Sequence, residues 1–510
     1  MDARPRLSRK VVASLAGVRN VDLELPSAAM LALPERVVQF GTGAFLRGFA
    51  EFFVDEANRR GAFNGRVVAV SSTGSSRDAE LNEQNGLFTL AIQGVEQGNA
   101  FRRNRVIGSL SRAISARDQW DAVLAVARDP AITLVISNST EVGIVLDPAD
   151  TFDAQPPRSF PGKLTRFLAE RGRAFDYDEQ RGLIVLPCEL IDENGTKLAA
   201  IVRELAELWQ LDGRFQRWAD RAVVFCNTLV DRIVPGIVSI DEATAVATSV
   251  GYRDELLTAC EPYALFAIEG HDDLRGHLGF AGEDARIIVA RDIGPYRERK
   301  VRVLNGAHTV VSSVALLAGL ETVRDACDDD RVGRFLRRVV FDEIVPSVDA
   351  PDTEEFARGV LERFSNPYIR HALIDLTLYN TAKMRARVVP SIVAYYERMG
   401  RAPGSLAFGF ASYLEFKRGE HPLGRTRSGS TIPDDSSGDR VRDAWRDVDL
   451  DSDVALADLA RVVCADASLW GIDLTTINGF SDLVADHLTR IVRQGVRVSL
   501  DAHLTEPATT

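Results

Sequence analysis

The stretch VVQFGTGAFLRGF, residues 37–49, decides the fold. Val37 to Phe40 read as a short buried strand and Gly41-Thr42-Gly43 as a tight turn. The residues that follow read as a helix with Phe45, Leu46, Phe49, Phe52 and Phe53 on its apolar side. Strand, glycine turn and helix in this order open a nucleotide-binding βαβ unit. Gly41 and Gly43 remove Cβ atoms where a phosphate would approach the backbone, and the helix N-terminus offers unpaired N–H groups and a favourable dipole. A lone GxG also fits a purely structural turn, and Leu46 stands where the common fingerprint has its third glycine.

Working outward, RVVAV (66–70), TLVIS (133–137), LIVLP (183–187) and AVVFCNT (222–228) read as further buried strands, with helices over 118–129 and around 197–210 between them. That alternation predicts a doubly wound parallel sheet. Beyond residues 286–300 the strand signals fade, and 300–320, 331–345, 353–364, 368–398 and 403–418 read as helices. The expected class is therefore α/β. A Rossmann-like dinucleotide-binding domain spans residues 30–290, and a mostly α-helical substrate and catalytic domain spans 291–505. A Ser-, Gly-, Asp- and Arg-rich loop insert is expected near 425–440.

A chain of 510 residues with 45% hydrophobic content supports two or three domains with sizeable cores. Its 61 basic and 73 acidic residues give a net charge of −12, which argues against nucleic acid and anionic membrane surfaces as partners. No run approaches the roughly 18 apolar residues that a spanning helix needs. The five cysteines form no CxxC pair, so a reducing compartment and a cytoplasmic location are expected. HExxH, GxSxG and GxxxxGK[ST] are all missing, so nothing points to a zinc centre, a serine hydrolase or a nucleotide triphosphatase.

The second informative stretch is KVRVLNGAH, residues 300–308. On an α-helix Lys300, Asn305 and His308 would project at about 0°, 140° and 80°, one broad face within an otherwise apolar segment. Lined by Val301, Val303, Leu304, Val310 and Val311, such a face suits a cleft, where desolvation lowers a lysine pKa and allows proton exchange with an alcohol. The same spacing also fits a solvated lysine, a backbone-bonded asparagine and a core histidine. The spacing alone does not choose between these readings.

The chain resembles the polyol-specific long-chain dehydrogenase family. The resemblance rests on the complete Lys-x4-Asn-x2-His pattern at 300–308 and on VVQFGTGAFLRGF (37–49), SNSTEVGI (137–144), LPCELIDENG (186–195), NTLVDRIVPG (227–236) and RFSNPYIRHALIDL (363–376). It runs from about residue 30 to 420, and PCELID, ERKVRVLNGAHT and NPYIRH are most similar to the tagaturonate reductase (altronate oxidoreductase) branch. It implies a metal-independent reduction of a ketone by NADH in the domain cleft, with Lys300 as acid and base and with Asn305 and His308 binding the developing oxyanion. Gly41, Gly43, Phe45, Leu46 and Arg47 are implied cofactor residues, and Thr140 and Glu141, with Gly143, are implied to lie beside the nicotinamide.

For the substrate, the resemblance implies Asp231 and Lys383, with Glu189 and Arg387 as further substrate-binding candidates. Cys188, Glu189 and Leu190 replace a Cys-Asp-Asn run of mannitol dehydrogenases, and Asp375 replaces their substrate arginine. These departures favour a sugar acid over mannitol, with Arg370, Lys383, Arg385 and Arg387 available for its carboxylate. The expected reaction interconverts D-tagaturonate and D-altronate; fructuronate reduction and mannitol-type oxidation are the alternatives, and a nucleotide-binding sensor or scaffold is the non-enzymatic one. NAD is the implied cofactor, although Ser71, Ser72 and Thr73 stand where an acid would hold the ribose, and Arg77 is available to a 2′-phosphate, so NADP stays open. Oligomeric state is not legible.

Overall fold

The computed structural model describes residues 4–17, 22–72, 76–96, 98–139, 143–235, 238–419 and 438–505. The chain forms two compact units, one of Met1–Gly94 with Ala100–Ile293 and the other of Val95–Asn99 with Gly294–Thr510. In the first unit, β1 (Glu35–Phe40), β2 (Arg66–Ser71), β3 (Leu110–Ser115), β4 (Leu134–Ser137), β5 (Ile184–Pro187) and β6 (Val224–Phe225) form a parallel sheet in the order 3-2-1-4-5-6. That is the doubly wound order of dinucleotide-binding folds. Val37, Val67, Ala69, Leu134 and Ile136 enter one core, while Val38, Phe40, Val68, Val70 and Val135 enter another. Apolar side chains are needed on both faces, which is why these strands read as unbroken hydrophobic runs.

Two elements around this sheet differ from the sequence reading. The expected single helix after the glycine turn is two, α1 (Ala44–Gly48) and α2 (Ala50–Arg59), broken at Phe49 with φ −126 and ψ −78. Arg232 Nη1 donates to the Gly48 carbonyl at 2.8 Å, diverting it from the helix ladder. The expected strand through residue 228 stops after Phe225. The Thr228 N–H donates to the Asn194 side-chain oxygen at 2.9 Å, and Thr228 starts a separate three-stranded sheet. There β7 (Thr228–Asp231) runs antiparallel to β8 (Leu265–Glu269), which pairs in parallel with β9 (Ile287–Ala290).

The second unit is helical, as expected, but three of its helices contain wide π-turns. Lys300–Gly306 is π-helical before α-helix Ala307–Leu317, and Val339–Ile344 is π-helical after Asp330–Arg338. The expected helix over 368–398 is Leu373–Leu376, Asn380–Lys383, a π-turn Met384–Val388 and then Val389–Met399. Pro346 and Pro390 follow two of these π-turns; each lacks an N–H and clashes with the carbonyl four residues back, so the preceding turn opens. Most of the expected insert at 425–440 lies outside the described residues. No helix among the described residues is long and apolar enough to cross a membrane.

Candidate active site

In the first unit the glycine turn is built to leave backbone accessible. Gly41 has φ +122, and a Cβ there would lie 2.9 Å from the Asn138 carbonyl oxygen, so no other residue fits. A Cβ on Gly43 would meet nothing within 4 Å, which leaves open space over the turn. Open space above a glycine turn fits a dinucleotide phosphate. Phe45 stacks on Phe49 with ring centroids 5.0 Å apart, and Leu46 is buried beneath.

Arg47 is buried and fastens the turn: Nη1 donates to the Thr42 carbonyl at 2.8 Å and Nε to Thr258 Oγ1 at 3.1 Å. Gln39 fastens it from the strand side. Its amide donates to the Gly41 carbonyl at 2.9 Å and to Glu51 Oε1 at 2.8 Å. Glu51 is fully buried, its Oε2 has no partner, and burial pushes its pKa up to about 7. The sequence reading passed over both residues, because a single polar residue inside a strand or on a helix carries no motif.

A third residue that the sequence reading missed stands near the end of β2. Ser71 closes β2, and its hydroxyl donates to the Asp78 carboxylate in the first turn of α3 (Ser76–Glu83). Asp78 is buried, its other oxygen has no partner, and burial raises its pKa. A carboxylate therefore stands beside the strand end where an acid was sought, on the following helix and seven residues later than Ser71. Arg77, beside it, is exposed.

Of the remaining first-unit positions, Thr140 and Glu141 lie outside the described residues. Glu189 is buried, with burial raising its pKa, and accepts from Ser137 Oγ (3.0 Å), Ser139 Oγ (3.0 Å) and the Ser139 N–H (2.9 Å). In this geometry it braces the loop after β4. Asp231 is buried at the end of β7.

In the second unit Lys300 and Asn305 stand at the two ends of one π-turn, both half-buried. A π-turn bonds i to i+5, which stacks residue 305 over residue 300. The wide separation given by α-helical spacing is therefore corrected, and the two side chains share a face more closely. The Asn305 amide has no side-chain hydrogen bond among the described residues.

His308, one turn on, is 7% exposed, and its Nε2 is buried without a partner. Phe364 stacks on its ring at 3.9 Å, and His371 meets it edge-on at 5.0 Å. Burial, followed by the positive charges of His371, Arg363, Arg387 and Lys383, holds its pKa well below the usual imidazole value. The ring is neutral at physiological pH and offers an N–H rather than a charge. Arg363, Phe364 and His371 come from RFSNPYIRH, of which the sequence reading assigned only Arg370 to the site; the repeated ring and cation types were the available signal.

Lys383 Nζ donates to the Leu376 carbonyl at 2.9 Å. Arg387 lies on the Met384–Val388 π-turn, whose Arg387 carbonyl oxygen would sit 3.0 Å from a Cβ on Gly306. The Arg387 and Lys300 turns therefore pack backbone to backbone at Gly306, where a side chain would force them apart.

Residues 35–280 match the mannitol dehydrogenase Rossmann domain and residues 292–492 the mannitol dehydrogenase C-terminal domain. The chain belongs to the mannitol dehydrogenase family, a family of dehydrogenases that act on CH–OH groups. It is 40% identical over 472 residues to altronate oxidoreductase of Bacillus subtilis (strain 168), covering 92% of this chain and 95% of that protein. To altronate oxidoreductase of Yersinia pestis it is 40% identical over 476 residues, covering 92% and 97%. Among solved structures, mannitol 2-dehydrogenase of Pseudomonas fluorescens, in ternary complex with NAD and D-mannitol, matches with a TM-score of 0.69 at 21% identity, covering 98% of this chain and 100% of that one. A substrate-free D-sorbitol dehydrogenase matches with a TM-score of 0.77 at 22% identity, covering 97% and 100%. At these identities the two structures speak to the fold.

Proposed function

We propose that this enzyme interconverts D-tagaturonate and D-altronate with NADH and NAD, without a metal ion. The observation that carries the chemistry is His308 Nε2, buried without a partner among the described residues, one turn on from a π-turn that carries both Lys300 and Asn305. The sugar acid follows from 40% identity to altronate oxidoreductases over almost the whole chain. Bound NADH supplies the hydride. Asn305 and the neutral His308 donate hydrogen bonds to the carbonyl oxygen, where negative charge develops. Lys300 gives that oxygen its proton, and in the oxidative direction takes the hydroxyl proton.

Asp78 favours NAD over NADP: a carboxylate accepts from a ribose 2′-hydroxyl and repels a 2′-phosphate. A cytoplasmic setting agrees with five free cysteines, four of them buried. The test is NADH absorbance with D-tagaturonate, D-fructuronate and D-fructose, each with and without chelator. Fastest oxidation with tagaturonate, indifferent to chelator, is expected; no reduction of any of the three, or loss of activity with chelator, contradicts the reading.

A further inference from the structure

Four cationic side chains were available on sequence grounds for a substrate carboxylate, and their surroundings differ. Arg370 is 81% exposed and lies 3.6 Å from Glu321. Arg385 lies beside Trp470 and Gly471 in a groove also lined by Glu298 and Glu397. The Lys383 ammonium is held by the Leu376 carbonyl. Arg387 alone of the four is half-buried with no hydrogen bond or ion pair to its guanidinium among the described residues, and burial is the sole influence on its pKa, lowering it.

A half-buried guanidinium without a counter-ion is available to pair with an anion. Its position indicates what pairs it. The Arg387 turn packs on the Lys300 turn at Gly306, and the charges acting most strongly on His308 are those of His371, Arg363, Arg387 and Lys383, with no carboxylate among them. Arg387 is thus among the cations close enough to act on the His308 ring, and positive charge there attracts an anionic substrate. A planar fork reads a carboxylate through two parallel N–H donors, which a lysine does not reproduce.

We propose that Arg387 is the specificity residue that recognises the substrate carboxylate and sets the enzyme's preference for hexuronate ketones over neutral ketohexoses. This rests on the hexuronate reading above. The experiment measures kcat and KM of the full chain with NADH on D-tagaturonate and on the neutral ketohexose of the same configuration, in which CH2OH replaces the carboxylate. It compares wild type, Arg387→Ala and Arg387→Lys. Arg387→Ala is expected to lose about 30- to 100-fold in kcat/KM on the acid, the worth of a charge-assisted pair of hydrogen bonds. The loss falls chiefly in KM, and the neutral ketohexose is nearly unaffected.

Arg387→Lys keeps the charge and loses the fork, so a smaller loss confined to the acid is expected; it carries the test if a thermal melt shows the alanine variant unfolded. Equal losses on both substrates, or none on the acid, overturn the assignment and leave the hexuronate reading intact. A wild-type enzyme that does not prefer the acid overturns the hexuronate reading itself and takes this proposal with it.

Discussion

A group that moves a proton in both directions must hold it at one stage and release it at another, while the groups that steady the oxyanion must donate throughout. His308 suits the second role, because a ring kept neutral by burial and surrounding cations retains one N–H and adds no charge of its own. The first role is the one proposed for Lys300. Replacing it by alanine should lower turnover by roughly two or more orders of magnitude, as removal of a proton-transfer group implies. NADH affinity should be kept, since the glycine turn belongs to the other unit. Turnover measured beside NADH fluorescence titration checks this, and undiminished turnover would favour the nucleotide sensor over the enzyme. At this scale the trio stood out by its spacing, but its roles came from the resemblance to a family, because the spacing suits a structural reading equally. Asp78 was not legible, because a carboxylate was sought on the strand end itself and this one stands on the following helix, and Gln39 and Glu51 acquire meaning only once the chain brings strand and helix together.

Buried carboxylates brace two elements. Glu51 holds Gln39 behind the glycine turn, and Glu343, inside a π-turn, accepts the Ser405 and Leu406 N–H groups at 2.7 Å each, capping helix Gly404–Arg418. Burial pushes both up to about 7. For an acid whose folded pKa is raised, the contribution to stability is fully present below its unfolded pKa near 4.5 and is lost as pH rises through about 7. The loss is on the order of 3 kcal/mol per site. His308, His371 and His503, whose pKa values are lowered, act in the opposite direction as pH rises toward 6.5, so wild type alone does not isolate the effect.

Glu51→Gln keeps the acceptor for Gln39 and removes the titration. Its melting temperature relative to wild type should therefore climb between pH 5 and 8; a difference that stays flat assigns the charge no part. The π-turns themselves were beyond sequence reading. The hydrophobic pattern around residues 300–317 suits an α-helix equally, and only Pro346 and Pro390 hinted at two of the three interruptions.

Across the whole molecule, the legible part was set by continuous apolar strands and by the switch from strand to helix signals near residue 290, which give the parallel sheet and the helical second unit. The three-stranded sheet was hidden because its first strand follows β6 after two residues, where the Asn194 side chain takes the Thr228 N–H. What the enzyme accomplishes rests on the proposed proton transfer at Lys300, and its most direct test is the pH dependence of both directions. Initial rates of D-tagaturonate reduction and D-altronate oxidation should be followed across the pH range with cofactor and substrate saturating, in wild type and in Lys300→Met. Because Lys300 must be charged to reduce and neutral to oxidise, the account gives opposite limbs: oxidation rises with pH through one apparent pKa while reduction falls through the same region, and both limbs vanish from the residual activity of the variant. Limbs of the same sign in wild type, or limbs that persist in Lys300→Met, would contradict it.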